Sequence, residues 1–63
     1  MKNFKNKVAA ITGAGSGIGQ QLAVLLAKQG CHLSLSDVNA QGLAQTVELL
    51  AKSNVRVTTQ KLD

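Results

Sequence analysis

The chain has 63 residues, with seven Lys or Arg against three Asp or Glu, a net charge of +4 and 44% hydrophobic residues. A whole α/β domain occupies about 100–200 residues, and a chain this short buries only about 60% of the surface its unfolded form exposes, which predicts weak stability as an isolated monomer. One cysteine excludes an intrachain disulfide or a cysteine-based zinc site, and the lack of Trp and Tyr removes the usual stacking residues for single-stranded nucleic acid.

The leading lysines Lys2, Lys5 and Lys7 read as a solvated segment and not as a nucleic-acid arm. The first strand is expected over Lys7 to Thr12, where Val8-Ala9-Ala10-Ile11 is an unbroken apolar run of the kind found in a parallel strand buried on both faces. That run breaks at Thr12-Gly13, too early for a secretory signal, and Leu22 to Ala27 falls far short of the ~20 residues of a membrane helix. The expectation is a cytoplasmic protein with neither a membrane nor a nucleic-acid partner. The first helix is expected from Gly17 to Gln29, with Ile18, Leu22, Leu25 and Leu26 on its inner face and Gly30 as its stop signal. Cys31 then reads as a small buried residue and His32 as a strand-end histidine, with no serine, carboxylate or second ligand placed to give it chemistry.

The second strand is expected over His32 to Ser36, because Leu33 and Leu35 alternate with small polar residues. Asn39 is a good N-cap for the second helix, whose apolar stripe Leu43, Val47 and Leu50 runs to about Lys52, with Gly42 weakening its first turn. The third strand is expected over Val55 to Lys61, where Val55, Val57 and Thr59 alternate with Arg56, Thr58 and Gln60 as at a sheet edge. The order β-α-β-α-β is the N-terminal half of a Rossmann-type, doubly wound parallel α/β sheet. Right-handed crossovers give the strand order 3-2-1, which leaves the first strand at an open edge without the charges, prolines or bulges of a natural one, so partner strands are expected beyond it.

The segment Thr12-Gly13-Ala14-Gly15-Ser16-Gly17-Ile18-Gly19 stands at the first strand-to-helix junction. There Gly13 would make the tight turn, Gly17 would leave room for a pyrophosphate at the helix N-terminus, and Gly19 would let the helix pack on the strand. Asp37 closes the second strand, where a Rossmann unit places the carboxylate that accepts hydrogen bonds from the adenosine ribose. No Gly-Lys-Ser or Gly-Lys-Thr follows the loop, which excludes a P-loop.

The spacing Thr-Gly-x-x-x-Gly-x-Gly, matched at Thr12, Gly13, Gly17 and Gly19, resembles the cofactor-binding motif of the short-chain dehydrogenase/reductase family. The resemblance runs nearly the length of the chain and makes residues 1–63 a partial NAD(P)-binding Rossmann domain. It implies cofactor contacts from Thr12, Gly13, Ser16, Gly17, Ile18, Gly19 and Asp37, and an adenine contact from Asp63. In the family's NADP-preferring members a cation stands just before the second glycine or just after the second strand. Here those positions are Ser16 and Val38, so Asp37 would repel a 2′-phosphate and NAD is the expected cofactor. The resemblance further implies hydride transfer between nicotinamide and an alcohol/carbonyl substrate in a homo-oligomeric enzyme. Its catalytic tyrosine, lysine, serine and asparagine would lie past Asp63, since this chain contains no Tyr and is expected to be inactive alone. A non-catalytic dinucleotide-sensing module and, further off, a methyltransferase fragment are the alternative readings.

Overall fold

The computed structural model describes residues 5–62. The elements are β1 (Val8–Thr12), α1 (Gly17–Lys28), β2 (His32–Asp37), α2 (Ala40–Leu49) and β3 (Val57–Lys61). The strands form one parallel sheet in the order β1-β2-β3. Both helices pack on the face that carries Ala9, Ile11, Leu33, Leu35 and Val57, and they contact each other. This is half of a Rossmann-type unit, with the expected element order and sheet order.

Strand β1 is buried on one face only. Ile11 belongs to the core and Ala9 packs against it, whereas Val8 is 71% exposed and Ala10 is exposed. The apolar run predicted burial on both faces. Among the described residues, however, no layer covers the sheet face opposite the helices.

The inner face of α1 also differs from the expected one. Gly19, Ala23 and Ala27, spaced i, i+4, i+8, are the buried residues, while Ile18, Leu22 and Leu25 are 84%, 44% and 56% exposed. Of the expected stripe only Leu26 packs against the core. Small side chains on the sheet-facing side let the helix axis come close to the strands, and a leucine there would hold it off. The leucine periodicity is real, but it marks a second apolar face of the same helix.

In α2 the buried stripe is Leu43, Thr46 and Leu50, with Val47 40% exposed. The helix ends at Leu49, three residues before Lys52, and the Leu50 N–H turns back to the Thr46 and Val47 carbonyls at 3.2 and 3.1 Å. Strand β3 begins at Val57 and not Val55, because the Arg56 N–H donates to the His32 Nδ1 at 2.9 Å instead of to a sheet partner. His32 is thereby a structural strand-end residue, and Cys31 is buried at 1% exposure. Gly30 takes a φ of +81° just past α1, as its role as stop signal requires. Among the described residues no helix is long and apolar enough to cross a membrane.

The small-residue face of α1 makes a measurable demand. Ala23→Leu is expected to destabilise the protein by about 1–3 kcal/mol, the usual range for overpacking a filled site. A lower urea midpoint with an unchanged slope would show it, and an unmoved midpoint would mean that α1 does not rest on the sheet through Ala23.

Candidate functional site

The carboxyl ends of β1 and β2 lie side by side, and the loop joining β1 to α1 folds over both. Gly13 has a φ of +71°, a left-handed conformation that costs little without a Cβ. Its carbonyl accepts the Ser16 N–H at 3.1 Å and the Ser16 hydroxyl at 2.7 Å. Ser16 in turn caps α1, its Oγ accepting the Gly19 N–H at 3.2 Å. A Cβ on Gly19 would overlap the Gly13 carbonyl oxygen, so the first turn of the helix closes directly onto the turn that precedes it.

The loop is then tied to β2. The Ala14 N–H donates to the Ser36 carbonyl at 3.1 Å, and the Gly15 N–H donates to Asp37 Oδ2 at 2.8 Å. The other carboxylate oxygen, Oδ1, accepts the Asn39 N–H at 3.0 Å. Asn39 also caps α2, its Oδ1 accepting the Gly42 N–H at 3.1 Å. Hydrogen bonds to the charged form hold the Asp37 carboxyl below its ordinary value of 3.8, with the Asn39 N–H the largest cause, that of Gly15 next, and partial desolvation opposing them.

A second set of ties runs to α2, through residues that the motif does not include. A Cβ built on Gly15 would lie 2.9 Å from the Gly42 carbonyl carbon, and one on Gly42 would lie 2.7 Å from the Gly15 carbonyl oxygen. Two backbones therefore touch where only glycine fits. The buried Thr46 hydroxyl sits 2.7 Å from the Ala14 carbonyl and 3.0 Å from the Gly42 carbonyl, and the Gln20 amide donates to Gly42 at 3.3 Å. Gly15, Gln20, Gly42 and Thr46 were missing from the sequence-derived site. The available signal was Gly42 itself, since a glycine inside a helix costs about 1 kcal/mol and needs a packing reason.

Gly17 stands apart from these. A Cβ on it would meet nothing within 4 Å, its φ is not positive, and it opens the first turn of α1. The fold would accept a larger residue there. Beside it Ile18 is 84% exposed, and Thr12 ends β1, also exposed. Thr12, Gly13, Ser16, Gly17, Ile18, Gly19 and Asp37 are thus gathered at one end of the sheet, whereas Asp63 lies outside the described residues. Chemically, this end offers unpaired N–H groups and a positive helix dipole to an anion, and a fixed carboxylate with spare lone pairs to hydroxyl groups. Those donors and acceptors suit a ligand with both phosphates and sugar hydroxyls.

Fold and loop together define a nucleotide-binding α/β half-unit. Residues 7–63 match the family model of the short chain dehydrogenases, and the chain belongs to that family. It is 49% identical over its full 63 residues to SadH of Mycobacterium tuberculosis, named for an oxidoreductase, of which it covers 23%. It is 53% identical over 45 residues, 71% of the chain, to 18% of a cyclohexanol dehydrogenase from Acinetobacter. Among solved structures, a short chain dehydrogenase/reductase from Burkholderia phymatum in complex with NAD superposes with a TM-score of 0.88 at 43% identity, over 100% of this chain and 22% of that one. An NAD+-bound xylitol dehydrogenase gives 0.91 at 32% identity, over 98% of this chain and 24% of that one. The chain therefore spans about a quarter of the length of these relatives. Membership in a dehydrogenase family sets the methyltransferase alternative aside.

Two predictions follow from the loop's attachments. Thr46→Val keeps the shape but leaves the buried Ala14 carbonyl without its hydroxyl donor, at an expected cost of about 1–3 kcal/mol, while Thr46→Ser restores most of it. Denaturant titration of both variants separates lost hydrogen bonding from lost volume. For Asp37, a depressed carboxyl means that its contribution to loop order is fully present above the ordinary value of 3.8 and is lost as the pH falls through its lower folded value. The Gly15 amide resonance should report that titration, and Asp37→Asn should abolish the transition.

Proposed function

We propose that this chain forms the NAD-binding half of an oxidoreductase that moves a hydride between nicotinamide and an alcohol/carbonyl carbon. The observation that carries the reading is Gly17, the one glycine of the loop that neither backbone conformation nor packing requires. A glycine kept where the protein itself leaves space is accounted for by a ligand that fills the space. In this reading the pyrophosphate takes the first turn of α1 at Gly17 and Ile18, and Thr12, Gly13, Ser16 and Gly19 shape the turn around it. Asp37 accepts from the ribose hydroxyls, and Asp63 contacts the adenine. The exposed Ile18 side chain gains apolar cover from the bound dinucleotide.

The bound nicotinamide supplies the hydride acceptor and donor. The chain's own residues bind and orient it. No Tyr occurs in the sequence, so the acid/base group and the substrate pocket belong outside residues 1–63, in a protein proposed to be cytoplasmic and homo-oligomeric. NAD is the cofactor this site favours, because the Asp37 carboxylate is ionised and held in place while Ser16 and Val38 bring no cation to a 2′-phosphate. The NAD-bound state of two similar structures supports the dinucleotide reading.

Calorimetry on the full-length protein that carries this segment tests both parts. NAD is expected to bind at least about tenfold more tightly than NADP, and Gly17→Val to weaken NAD by a similar factor with little change in melting temperature, since each tenfold step is about 1.4 kcal/mol. Equal affinity for the two dinucleotides would overturn the charge argument. Native NAD affinity in the folded Gly17→Val protein would overturn the role given to the open space.

A further inference from the structure

The parallel register between β2 and β3 sets Lys61 opposite Asp37, as it sets Val57 opposite Leu33 and Thr59 opposite Leu35. Paired residues of adjacent strands point to the same sheet face from backbones about 4.8 Å apart. The Lys61 side chain therefore leaves the sheet from the position paired with Asp37, on the helix-bearing face, without an ion pair between the two. β3 is an outer strand of the sheet and Lys61 is exposed, so its ammonium moves on a flexible stem with solvent on its far side. The Asp37 oxygens are already oriented by the Gly15 and Asn39 N–H groups, which leaves the lysine no structural task there. The other described cations sit elsewhere. Lys5 and Lys28 line a cleft of about 340 Å³ with His32 at the opposite end of the sheet, where the Lys7 and Arg56 backbones bond to His32, and Lys52 follows the end of α2.

We propose that Lys61 is a specificity-determining residue of the dinucleotide site: a mobile cation beside the ribose carboxylate that partly offsets its repulsion of a 2′-phosphate and so limits how sharply the site rejects NADP. The proposal rests on the NAD reading above and deepens it. The two motif positions where a cation would meet a 2′-phosphate are Ser16 and Val38, and neither holds one. Sheet pairing brings in a third position, 24 residues from Asp37. A 2′-phosphate carries up to two negative charges against the single charge of Asp37, so a nearby ammonium gains more from the phosphorylated cofactor than from NAD. An exposed pair of this kind is worth about 0.2–1 kcal/mol, or up to about a fivefold change in affinity. At high salt the Debye length shrinks to about 3 Å and the effect should fade.

The test is the ratio of NAD to NADP dissociation constants in the full-length protein at low ionic strength. Lys61→Met is expected to widen the preference for NAD by about two- to fivefold, Lys61→Arg to leave the ratio near that of the wild type, and about 1 M salt to erase the difference. In an Asp37→Asn background, where NADP binding improves, adding Lys61→Met should take part of that gain back. A ratio that stays put, or equal losses for both dinucleotides, overturns the proposal alone. A wild-type protein that binds neither dinucleotide overturns the NAD reading, and the proposal with it.

Discussion

The approach of the Gly15 backbone to that of Gly42 sets the geometry of the whole carboxyl end of the sheet. Helix α2 lies against the loop at a distance that admits no Cβ on either side, and from that position Thr46 reaches the Ala14 carbonyl. The same Gly15 presents its N–H to Asp37. One residue thus couples the loop at the start of α1 to the carboxylate at the end of β2. A displacement of α2 would disturb both, although α2 itself carries none of the motif residues.

The packing beneath follows a similar logic of closeness over bulk. Helix α1 meets the sheet through Gly19, Ala23 and Ala27, and the most deeply buried large apolar side chains are Leu33 and Leu35 from β2, with Ile11, Leu43 and Leu50 around them. Burial is worth about 25 cal/mol per Å² of apolar surface, so alanines and glycines contribute little area each. What they provide is a short distance between helix axis and strand, which brings Gly19 onto Gly13 and fixes where the helix N-terminus points. Positioning of the first turn is therefore obtained from shape, while much of the apolar stabilisation comes from the central strand.

Local features of the sequence located most of these parts. Element order, parallel sheet order, the Asn39 cap, the Gly30 stop and the place of Asp37 each depend on a residue type with a strong local preference, and the structure has them where expected. The inner face of α1 was not legible, because the helix has two apolar stripes and hydrophobicity ranks leucine above alanine regardless of which stripe touches the sheet. Thr46 was passed over in favour of Val47 for the same reason: its burial depends on a carbonyl 32 residues earlier in the chain. Gly42 read as a defect in α2 because its partner, Gly15, belongs to another element. In each case the missing information was a tertiary distance.

That distinction also separates the glycines by what they are for. Gly13, Gly15 and Gly19 are each demanded by the fold, through a left-handed φ or a backbone contact, so their presence says little about a ligand. A glycine-rich loop alone is thus a weak sign of binding, since most of its glycines can be structural. Gly17 has no such explanation inside the protein, and it opens the helix that follows the loop whose Gly15 N–H holds the Asp37 carboxylate. The sign of the electrostatics differs between these neighbours: the helix end attracts negative charge and the carboxylate repels it. In the proposed reading the ligand places its phosphates at Gly17 and neutral hydroxyls at Asp37, the charge pattern on which the preference for NAD over NADP is proposed.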